Sequence, residues 1–228
     1  MKKVAIFDID GTIFRSSLLI ELTEELVNQN IFPAGARRIY ESVQTNWLNR
    51  AGDYDDYIMK VIEAFMRHLK GVSYRDFDRI SKEVIARHQN RTYRYTRDLI
   101  KQLKKKGYFL LAISQSPKTI LDKFCSKLGF DKVYGRIYEL GPTDCFNGKV
   151  VDEHLIQNKA TILRRAVERN GLTLKDSVGV GDTDGDIPFL ELVAKPICFN
   201  PNSGLFKQAK RLGWKIVIER KDVVYEVQ

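Results

Sequence analysis

The clearest signal of the fold is a nine-residue stretch near the N-terminus, Val4-Ala5-Ile6-Phe7-Asp8-Ile9-Asp10-Gly11-Thr12. Its first four residues are all apolar, which is typical of a strand buried on both faces of a parallel sheet. Two carboxylates, those of Asp8 and Asp10, follow this strand, and ligands of open parallel sheets bind just beyond the carboxyl ends of the strands. Because one residue separates them, the two side chains point in the same general direction and crowd two negative charges. Such crowding is relieved when a cation neutralises the charges or when one carboxyl keeps a proton for acid catalysis.

Beyond this stretch, apolar runs alternate with helical patterns along the chain. This alternation predicts an α/β fold with a doubly wound, parallel, Rossmann-like sheet and helices on both faces. Further strands are predicted at 108–113, 177–181, 196–199 and 214–218, the last as an edge strand. Helices are predicted at 93–106, 118–128, 159–170, 186–193 and 203–212.

Two segments interrupt this alternation. Residues 15–90 contain no clear strand, and their apolar residues recur at helical spacing, which predicts three or four helices. We interpret residues 15–90 as an all-helical cap domain inserted after the first strand, and residues 1–14 with 91–228 as the α/β core domain. The second segment is 133–151, where Asn147-Gly148 between two β-capable runs predicts a hairpin turn.

The composition argues against a membrane or secreted protein. No apolar run approaches the roughly 18 residues of a membrane span, and the first apolar run is too short for a signal peptide. The three cysteines lie far apart and form no C-x-x-C pair, which favours reduced thiols and a cytoplasmic location.

The net charge of +9 is concentrated in residues 91–128. A basic segment can bind nucleic acid or an anionic membrane. However, much of this charge precedes Gly107 at the end of a predicted helix, where cations are favourable. We therefore prefer the interpretation of a solvated helix face, and expect neither a membrane nor a nucleic-acid partner.

A second acidic cluster, Gly181-Asp182-Thr183-Asp184-Gly185-Asp186, follows the predicted strand 177–181. It is not a calcium loop of the EF-hand type, since Val193 occupies the twelfth position and the context is strand–loop–helix. Acids at the ends of two strands suggest one shared oxygen site that suits Mg²⁺. Taken alone, Asp186 is equally well explained as an acid at a helix N-terminus.

Between the two clusters lie Ser114, at a strand end, and Lys159, near a helix start. A hydroxyl and an ammonium are the groups that the oxygens of a phosphoryl group need. Together with D-x-D-G-T at 8–12 and G-D-x-x-x-D at 181–186, these residues resemble the four motifs of the haloacid dehalogenase superfamily. The resemblance covers essentially the whole chain. It is strongest to the phosphoserine-phosphatase-like branch (subfamily IB), through segments 114–117, 182–190 and 199–201.

The resemblance implies a magnesium-dependent phosphomonoester phosphatase that acts on a small phosphorylated metabolite. Asp8 would form an aspartyl-phosphate, and Asp10 would act as general acid and base. It further implies that Mg²⁺ is held by Asp8, the backbone carbonyl of Asp10, and Asp182, with Asp186 orienting a metal water or the lysine. Phosphate would be bound by Thr12, Ser114, Gln115 and Lys159.

The chain departs from phosphoserine phosphatases in the cap. The position that would carry a glutamate for the substrate's amino group is Ser17, and the basic residue for its carboxylate has only Lys60 as a candidate. Glu21, one helical turn beyond Ser17, is an alternative partner for an ammonium. We therefore expect phosphoserine not to be the best substrate.

Three other functions are compatible with parts of the sequence. A phosphomutase of the same superfamily would use the same groups but retain the phosphate. A phosphorylated signalling receiver also combines strand-end acids, a hydroxyl and a lysine, but gives no reason for the insertion at 15–90. A nucleic-acid-binding role rests on the basic segment 91–128 alone.

Overall fold

The structure is a computed structural model, and it describes residues 1–152 and 158–227. An eight-stranded sheet forms its centre, in the order β4-β3-β2-β1-β5-β6-β7-β8. The strands are β1 (Lys2–Phe7), β2 (Phe109–Pro117), β3 (Lys132–Leu140), β4 (Phe146–Val151), β5 (Leu172–Gly181), β6 (Lys195–Phe199), β7 (Lys215–Arg220) and β8 (Val223–Val227). The helices are α1 (Leu18–Asn28), α2 (Glu41–Leu48), α3 (Tyr54–Leu69), α4 (Tyr74–His88), α5 (Arg94–Lys105), α6 (Lys118–Leu128), α7 (Lys159–Arg169), α8 (Ile187–Leu190) and α9 (Ser203–Leu212), with a 3₁₀ helix at Ala34–Ile39.

The strand pairs in the middle of the sheet are all parallel, and only the outermost pairs, β3–β4 and β7–β8, are antiparallel. Strand β1 lies between β2 and β5, with Phe7 opposite Ala112 on one side and Val180 on the other. The residues that follow these three strands therefore meet at one edge of the sheet. The predicted α/β fold with a largely parallel sheet flanked by helices is confirmed.

The apolar run of β1 is buried as predicted, since Val4, Ala5, Ile6 and Phe7 have no exposed surface. The run contributes to both faces of the sheet: Ala5 and Phe7 join one buried cluster, and Val4 and Ile6 join the other. This division follows from the alternation of side chains along a strand.

Four helices, α1 to α4, occupy the segment between β1 and α5. Their number agrees with the three or four helices that the spacing predicts. Apolar residues of these helices, such as Leu22 and Phe65, belong to the same buried cluster as Phe7 of the central strand. The boundaries of a separate cap domain at 15–90 stay a prediction.

The hairpin predicted at 133–151 exists, but its turn was placed wrongly. Asn147-Gly148 lies inside β4, and the chain reverses at 141–145, where the amide of Gly141 donates to the carbonyl of Cys145 at 2.8 Å. The hairpin is bonded to the helical insertion: Gly71 donates to the carbonyl of Phe146 at 2.8 Å, and Phe146 donates to that of Val72 at 2.9 Å. Strand β4 continues past the Asn-Gly pair because Val150 and Val151 pair with Tyr138 and Ile137 of β3. The pair itself forms an irregularity in the strand, where the register shifts and Gly148 has φ +87°.

The predicted edge strand at 214–218 is also corrected. It corresponds to β7, which has β6 on one side and β8 on the other. The missed strand β8 is largely exposed, and it carries no buried apolar run of the kind that marks β1 and β2.

Candidate active site

Three side chains from different elements meet in a buried ion cluster beyond the strand ends. Asp8 directly follows β1, and its amide donates to the carbonyl of Val180 in β5 at 2.9 Å. The ammonium of Lys159, the first residue of α7, donates to Asp8 Oδ1 and to Asp186 Oδ1, each at 2.6 Å. All three side chains are at least nine-tenths buried. Two carboxylates thus share one buried cation, as buried charges require.

Asp186 uses its second oxygen to fix the acidic loop. Its Oδ2 accepts from the amides of Asp182 and Thr183 at 3.0 and 3.2 Å. The hydroxyl of Thr183 is bonded in return to the amide of Asp186, which makes a capping box at a helical turn. A Cβ at Gly181 would lie 2.5 Å from Asp186 Oδ2, so the loop closes this tightly only with glycine there. Asp186 is therefore a positioning residue for both the loop and the lysine.

The first acidic loop is joined to the second through Asp182. Thr12 donates from its hydroxyl to Asp182 Oδ1 at 3.1 Å. A Cβ at Gly11 would lie 2.0 Å from Asp182 Oδ2, and the backbone of Gly11 has φ +79°, a conformation that side chains disfavour. The glycine of D-x-D-G-T thus lets the two acidic loops approach each other. In this structure Thr12, predicted to bind phosphate, orients a carboxylate.

Asp10 faces a different set of partners from Asp8. Its Oδ1 accepts from the amide of Leu18 at 2.6 Å, and its Oδ2 meets the hydroxyls of Ser114 and Ser116 at 2.6 and 2.8 Å. Because a hydroxyl can donate or accept, the same contacts serve Asp10 with or without a proton. These contacts therefore suit a carboxyl that donates and regains a proton while its position stays fixed.

The electrostatics of the cluster reflect an excess of buried negative charge. Burial, together with the charges of Asp186 and Asp10, raises the pKa of Asp8 to about 8, although Lys159 acts in the opposite direction. Burial and the charge of Asp8 likewise raise the pKa of Asp182 well above its ordinary value. Burial alone would lower the pKa of Lys159, but the charges of Asp186 and Asp8 raise it above its ordinary value. The lysine is therefore a permanent cation.

The donor set fits a hard divalent cation. Carboxylate oxygens of Asp8, Asp182 and Asp186 lie within 4.8 Å of one another. Oxygen ligands of this kind are those that Mg²⁺ prefers. If all three carboxyls were ionised, their negative charge would exceed the charge of Lys159, and a bound cation would neutralise the excess. The side chain of Asp10 is not in this group, so its predicted part in metal binding rests on its backbone carbonyl.

Four other residues predicted for the site lie outside the ion cluster of Asp8, Lys159 and Asp186. The exposed side chain of Gln115 accepts a hydrogen bond from Arg136 Nη2 at 2.8 Å. Ser17 is buried immediately before α1. The carboxylate of Glu21 pairs with Arg91 at 2.6 Å, and Lys60 pairs with Glu63 at 2.8 Å on an exposed part of α3.

Two residues near the predicted set were missed. Ser116 bonds Asp10, and its signal was the spacing S-x-S, since residues i and i+2 of a strand share one face. Asn158 caps α7 by accepting from the amide of Thr161 at 2.9 Å and so fixes the start of the helix that carries Lys159. An asparagine before a helical pattern is an ordinary N-cap signal.

The basic segment 91–128 lies largely on α5 and α6, and many of its cations have partners within the molecule. Lys118 pairs with Asp122 at 2.6 Å, and the ammonium of Lys104 donates to the carbonyl of Gly129 at 3.2 Å. Arg94 donates to the carbonyl of Asp222 at 2.9 Å. These contacts agree with the interpretation of a solvated helix face. Within the described residues, no helix is both long and apolar enough to cross a membrane.

Comparison with known proteins finds a hydrolase family and several phosphatases that are similar to this chain. Residues 5–191 match the family described as haloacid dehalogenase-like hydrolase. The chain is 24% identical over 222 residues to a histidinol-phosphatase of Neisseria meningitidis, covering 95% of this chain and 99% of the relative. It is also 24% identical to a phosphoserine phosphatase of Methanocaldococcus jannaschii, covering 97% and 94%. A solved structure of a phospho-aspartyl intermediate analogue of phosphoserine phosphatase shares the fold, with a TM-score of 0.64, 22% identity, and coverage of 97% and 95%.

Proposed function

Because this chain belongs to the haloacid dehalogenase-like hydrolase family, we propose that it is a magnesium-dependent phosphomonoester phosphatase with Asp8 as nucleophile. The observation that supports this most is the contrast between its two strand-end carboxyls. Asp8 is bonded to a permanent cation at 2.6 Å, whereas Asp10 lies among hydroxyls that accommodate either of its protonation states. One carboxyl is thus suited to nucleophilic attack and the other to proton transfer.

In the first step, an oxygen of Asp8 forms a bond to the phosphorus atom of the ester. The bond from phosphorus to the leaving-group oxygen breaks, and its electron pair stays with that oxygen. Asp10 donates its proton to this oxygen, so that an alcohol departs rather than an alkoxide. The ammonium of Lys159 and the hydroxyl of Ser114 bind phosphoryl oxygens as negative charge develops on them.

In the second step, a water molecule attacks the phosphorus atom of the aspartyl-phosphate. Asp10, now a carboxylate, takes the proton of this water as its oxygen bonds to phosphorus. The bond between phosphorus and the Asp8 oxygen breaks, which releases inorganic phosphate and restores both carboxyl groups. Ser116 keeps Asp10 in the same place through both proton transfers, while the hydroxyl of Ser114 binds the phosphoryl group.

The residues that would hold Mg²⁺ are Asp8, Asp182 and the backbone carbonyl of Asp10, with Asp186 fixing the loop that carries Asp182. Bound there, the ion would neutralise charge between the nucleophile and the phosphate. Thr12 orients Asp182 by the hydrogen bond of 3.1 Å.

The substrate is proposed to be a small phosphorylated metabolite. The relatives named above act, by their names, on histidinol phosphate and phosphoserine. Ser17 stands where a glutamate would meet the amino group of phosphoserine, and Glu21 already pairs with Arg91. This pairing supports a substrate other than phosphoserine.

The test is a phosphate-release assay over a library of phosphomonoesters, with Mg²⁺ and then with excess chelator. We expect stoichiometric release of inorganic phosphate that the chelator abolishes and added Mg²⁺ restores. Conversion of one phosphate ester to another without free phosphate would instead identify a phosphomutase. Undiminished release in chelator would contradict the role of the metal.

A further inference from the structure

A groove of about 850 Å³ runs along α5, between this helix and the strands β6, β7 and β8. Arg94 and Lys106, at the two ends of the helix, both line it. Since an α-helix rises 1.5 Å per residue, the groove is about 18 Å long. Its volume lies in the range of small-molecule sites in proteins. The residues that line it include none of those assigned to catalysis, to the metal or to phosphate.

The floor of the groove is apolar. Leu103, Val178 and Ile197, from α5, β5 and β6, line it and are buried, yet each retains between 5% and 7% of its surface exposed. Leu99 and Val224 are partly buried and line the groove from the helix and from β8. An apolar ligand that covers these side chains would remove its own surface and theirs from water, which is favourable.

One end of the groove is fixed by contacts between α5 and the sheet. The two carboxylate oxygens of Glu219 in β7 accept from the amides of Arg94 and Tyr95 at 3.0 and 2.8 Å. The ring of Tyr95 is stacked on that of Phe199 in β6, with 5.8 Å between the centroids. These contacts hold the N-terminus of α5 against β6 and β7, so the groove is a preformed part of the fold.

The cations of the groove outnumber its acids. Its lining contains the cations Arg94, Lys106, Lys195 and Lys215, and the acids Asp98 and Glu226. Both acids already have cationic partners, since Asp98 pairs with Arg97 at 3.3 Å and Glu226 pairs with Lys215. Among the residues that the structure describes, no carboxylate lies within 4.0 Å of the ammonium of Lys106 or of Lys195. These two lysines can therefore meet an anion from outside the chain.

The two lysines lie at the same end of the groove. Tyr95, near the start of α5, packs on Phe199, the last residue of β6. The far end of α5 therefore lies toward the first residue of β6, which is Lys195. Lys106 directly follows α5 at this end. The groove thus has an apolar length with a pair of ammonium groups at one end.

We propose that this groove binds a small amphipathic anion, with the anionic head at Lys106 and Lys195 and an unbranched acyl chain along Leu103, Val178 and Ile197. Ammonium groups form charge-assisted hydrogen bonds to a carboxylate, and the chain would cover the apolar floor. The site does not depend on the proposed phosphatase function, because it uses none of the residues of that function.

Calorimetric titration of the whole protein with decanoate, octanoate and decanol tests the site. We expect one decanoate per chain. Octanoate should bind about tenfold more weakly than decanoate, because it buries two methylene groups fewer. Decanol should also bind more weakly than decanoate, since it has no charge to offer to the lysines. Absence of saturable decanoate binding would overturn the proposal.

Charge reversal separates the head of the ligand from its chain. The double variant Lys106→Glu, Lys195→Glu should lose about tenfold in affinity for decanoate and keep the affinity for decanol. The matched control is Lys105→Glu, Lys175→Glu, which makes the same change of charge at exposed lysines outside the groove and should bind decanoate as the wild type does. An equal loss in the two double variants would indicate general attraction to a basic surface, as for nucleic acid or an anionic membrane, and would overturn the proposal.

Two further measurements locate the chain of the ligand. Leu99→Glu should weaken both decanoate and decanol by about tenfold or more, and Val224→Glu serves as the second variant if Leu99→Glu does not fold. Unchanged affinity for both ligands in these variants would contradict the assigned groove. Saturating inorganic phosphate with Mg²⁺ should leave the affinity for decanoate unchanged. Competition between phosphate and decanoate would place the ligand in the candidate active site and overturn the proposal.

Discussion

The ammonium of Lys159 lies 2.6 Å from Asp8 Oδ1, although 151 residues separate the two in sequence. Both side chains are about 8% exposed, so this ion pair is almost fully removed from water. A cation fixed beside a buried carboxylate limits the repulsion between Asp8 and Asp186. The same ammonium is proposed to bind the oxygens of the phosphoryl group.

Removal of this cation should destabilise the fold. Lys159→Met leaves Asp8 and Asp186 buried without their shared partner, so we expect a loss of about 3–5 kcal/mol in the free energy of unfolding. Chemical denaturation monitored by circular dichroism measures it. Lys60→Met is the matched control, because Lys60 also pairs with a carboxylate but on the exposed face of α3, and it should hardly change the midpoint. Equal denaturation midpoints for Lys159→Met and Lys60→Met would contradict the burial of the Lys159 ion pair.

Asp10 should matter in proportion to the basicity of the leaving group. Asp10→Asn should lose on the order of 10²–10⁴ in rate for alkyl phosphates, the usual range for general acid–base catalysis. The loss should be smaller in the first step for nitrophenyl phosphate, whose departing oxygen needs no proton. The rates at which nitrophenol and the alcohol are released in a single turnover measure the two losses. No loss of leaving-group release for either ester would restrict Asp10 to the second step, and an equal loss for both would indicate that Asp10 acts through the metal rather than as the acid.

Phosphoserine should be a poor substrate. Ser17 offers no carboxylate to its ammonium, and an unpaired charge in a partly desolvated pocket reduces kcat/KM by orders of magnitude. Glu21→Gln should have little further effect on phosphoserine, because Arg91 already holds that carboxylate at 2.6 Å. Steady-state kinetics on phosphoserine and on esters that lack the amino group would decide. A clear preference for phosphoserine that Glu21→Gln abolishes would assign the ammonium site to Glu21.

The three cysteines should react unequally. Burial raises the pKa of Cys198 to about 12 and that of Cys125 well above its ordinary value, whereas Cys145 is partly exposed. Since the thiolate is the reactive form, a thiol reagent near neutral pH should modify Cys145 in the native protein and all three after denaturation. Mass spectrometry of the labelled peptides identifies the sites. Rapid native labelling of Cys125 would show that α6 opens.

The parts of the fold that were predictable are those that local chemistry determines. The apolar runs of β1 and β2 mark buried strands, and membership of the haloacid dehalogenase superfamily and of its phosphoserine-phosphatase-like branch is confirmed. The prediction of a phosphoric monoester hydrolase is confirmed as well. Site roles, the metal and the cap boundaries stay predictions.

The features that were missed depend on contacts between distant segments. Asn147-Gly148 has the chemistry of a turn, but it forms an irregularity inside β4, because Phe146 before it and Val150 after it both pair with β3. Strand β8 is mostly exposed and is specified by its pairing with β7.

Detection of a phosphoryl group on Asp8 would identify the nucleophile directly. Asp10→Asn is mixed with nitrophenyl phosphate and Mg²⁺, quenched in acid, and the peptide that contains residues 4–12 is analysed by mass spectrometry. The missing base should slow the second step, so we predict a hydroxylamine-sensitive phosphoryl adduct on Asp8, and none in the matched Asp8→Asn, Asp10→Asn double variant. Release of nitrophenol by Asp10→Asn with no adduct on Asp8 at any quench time, or with the adduct on another residue, would contradict the account.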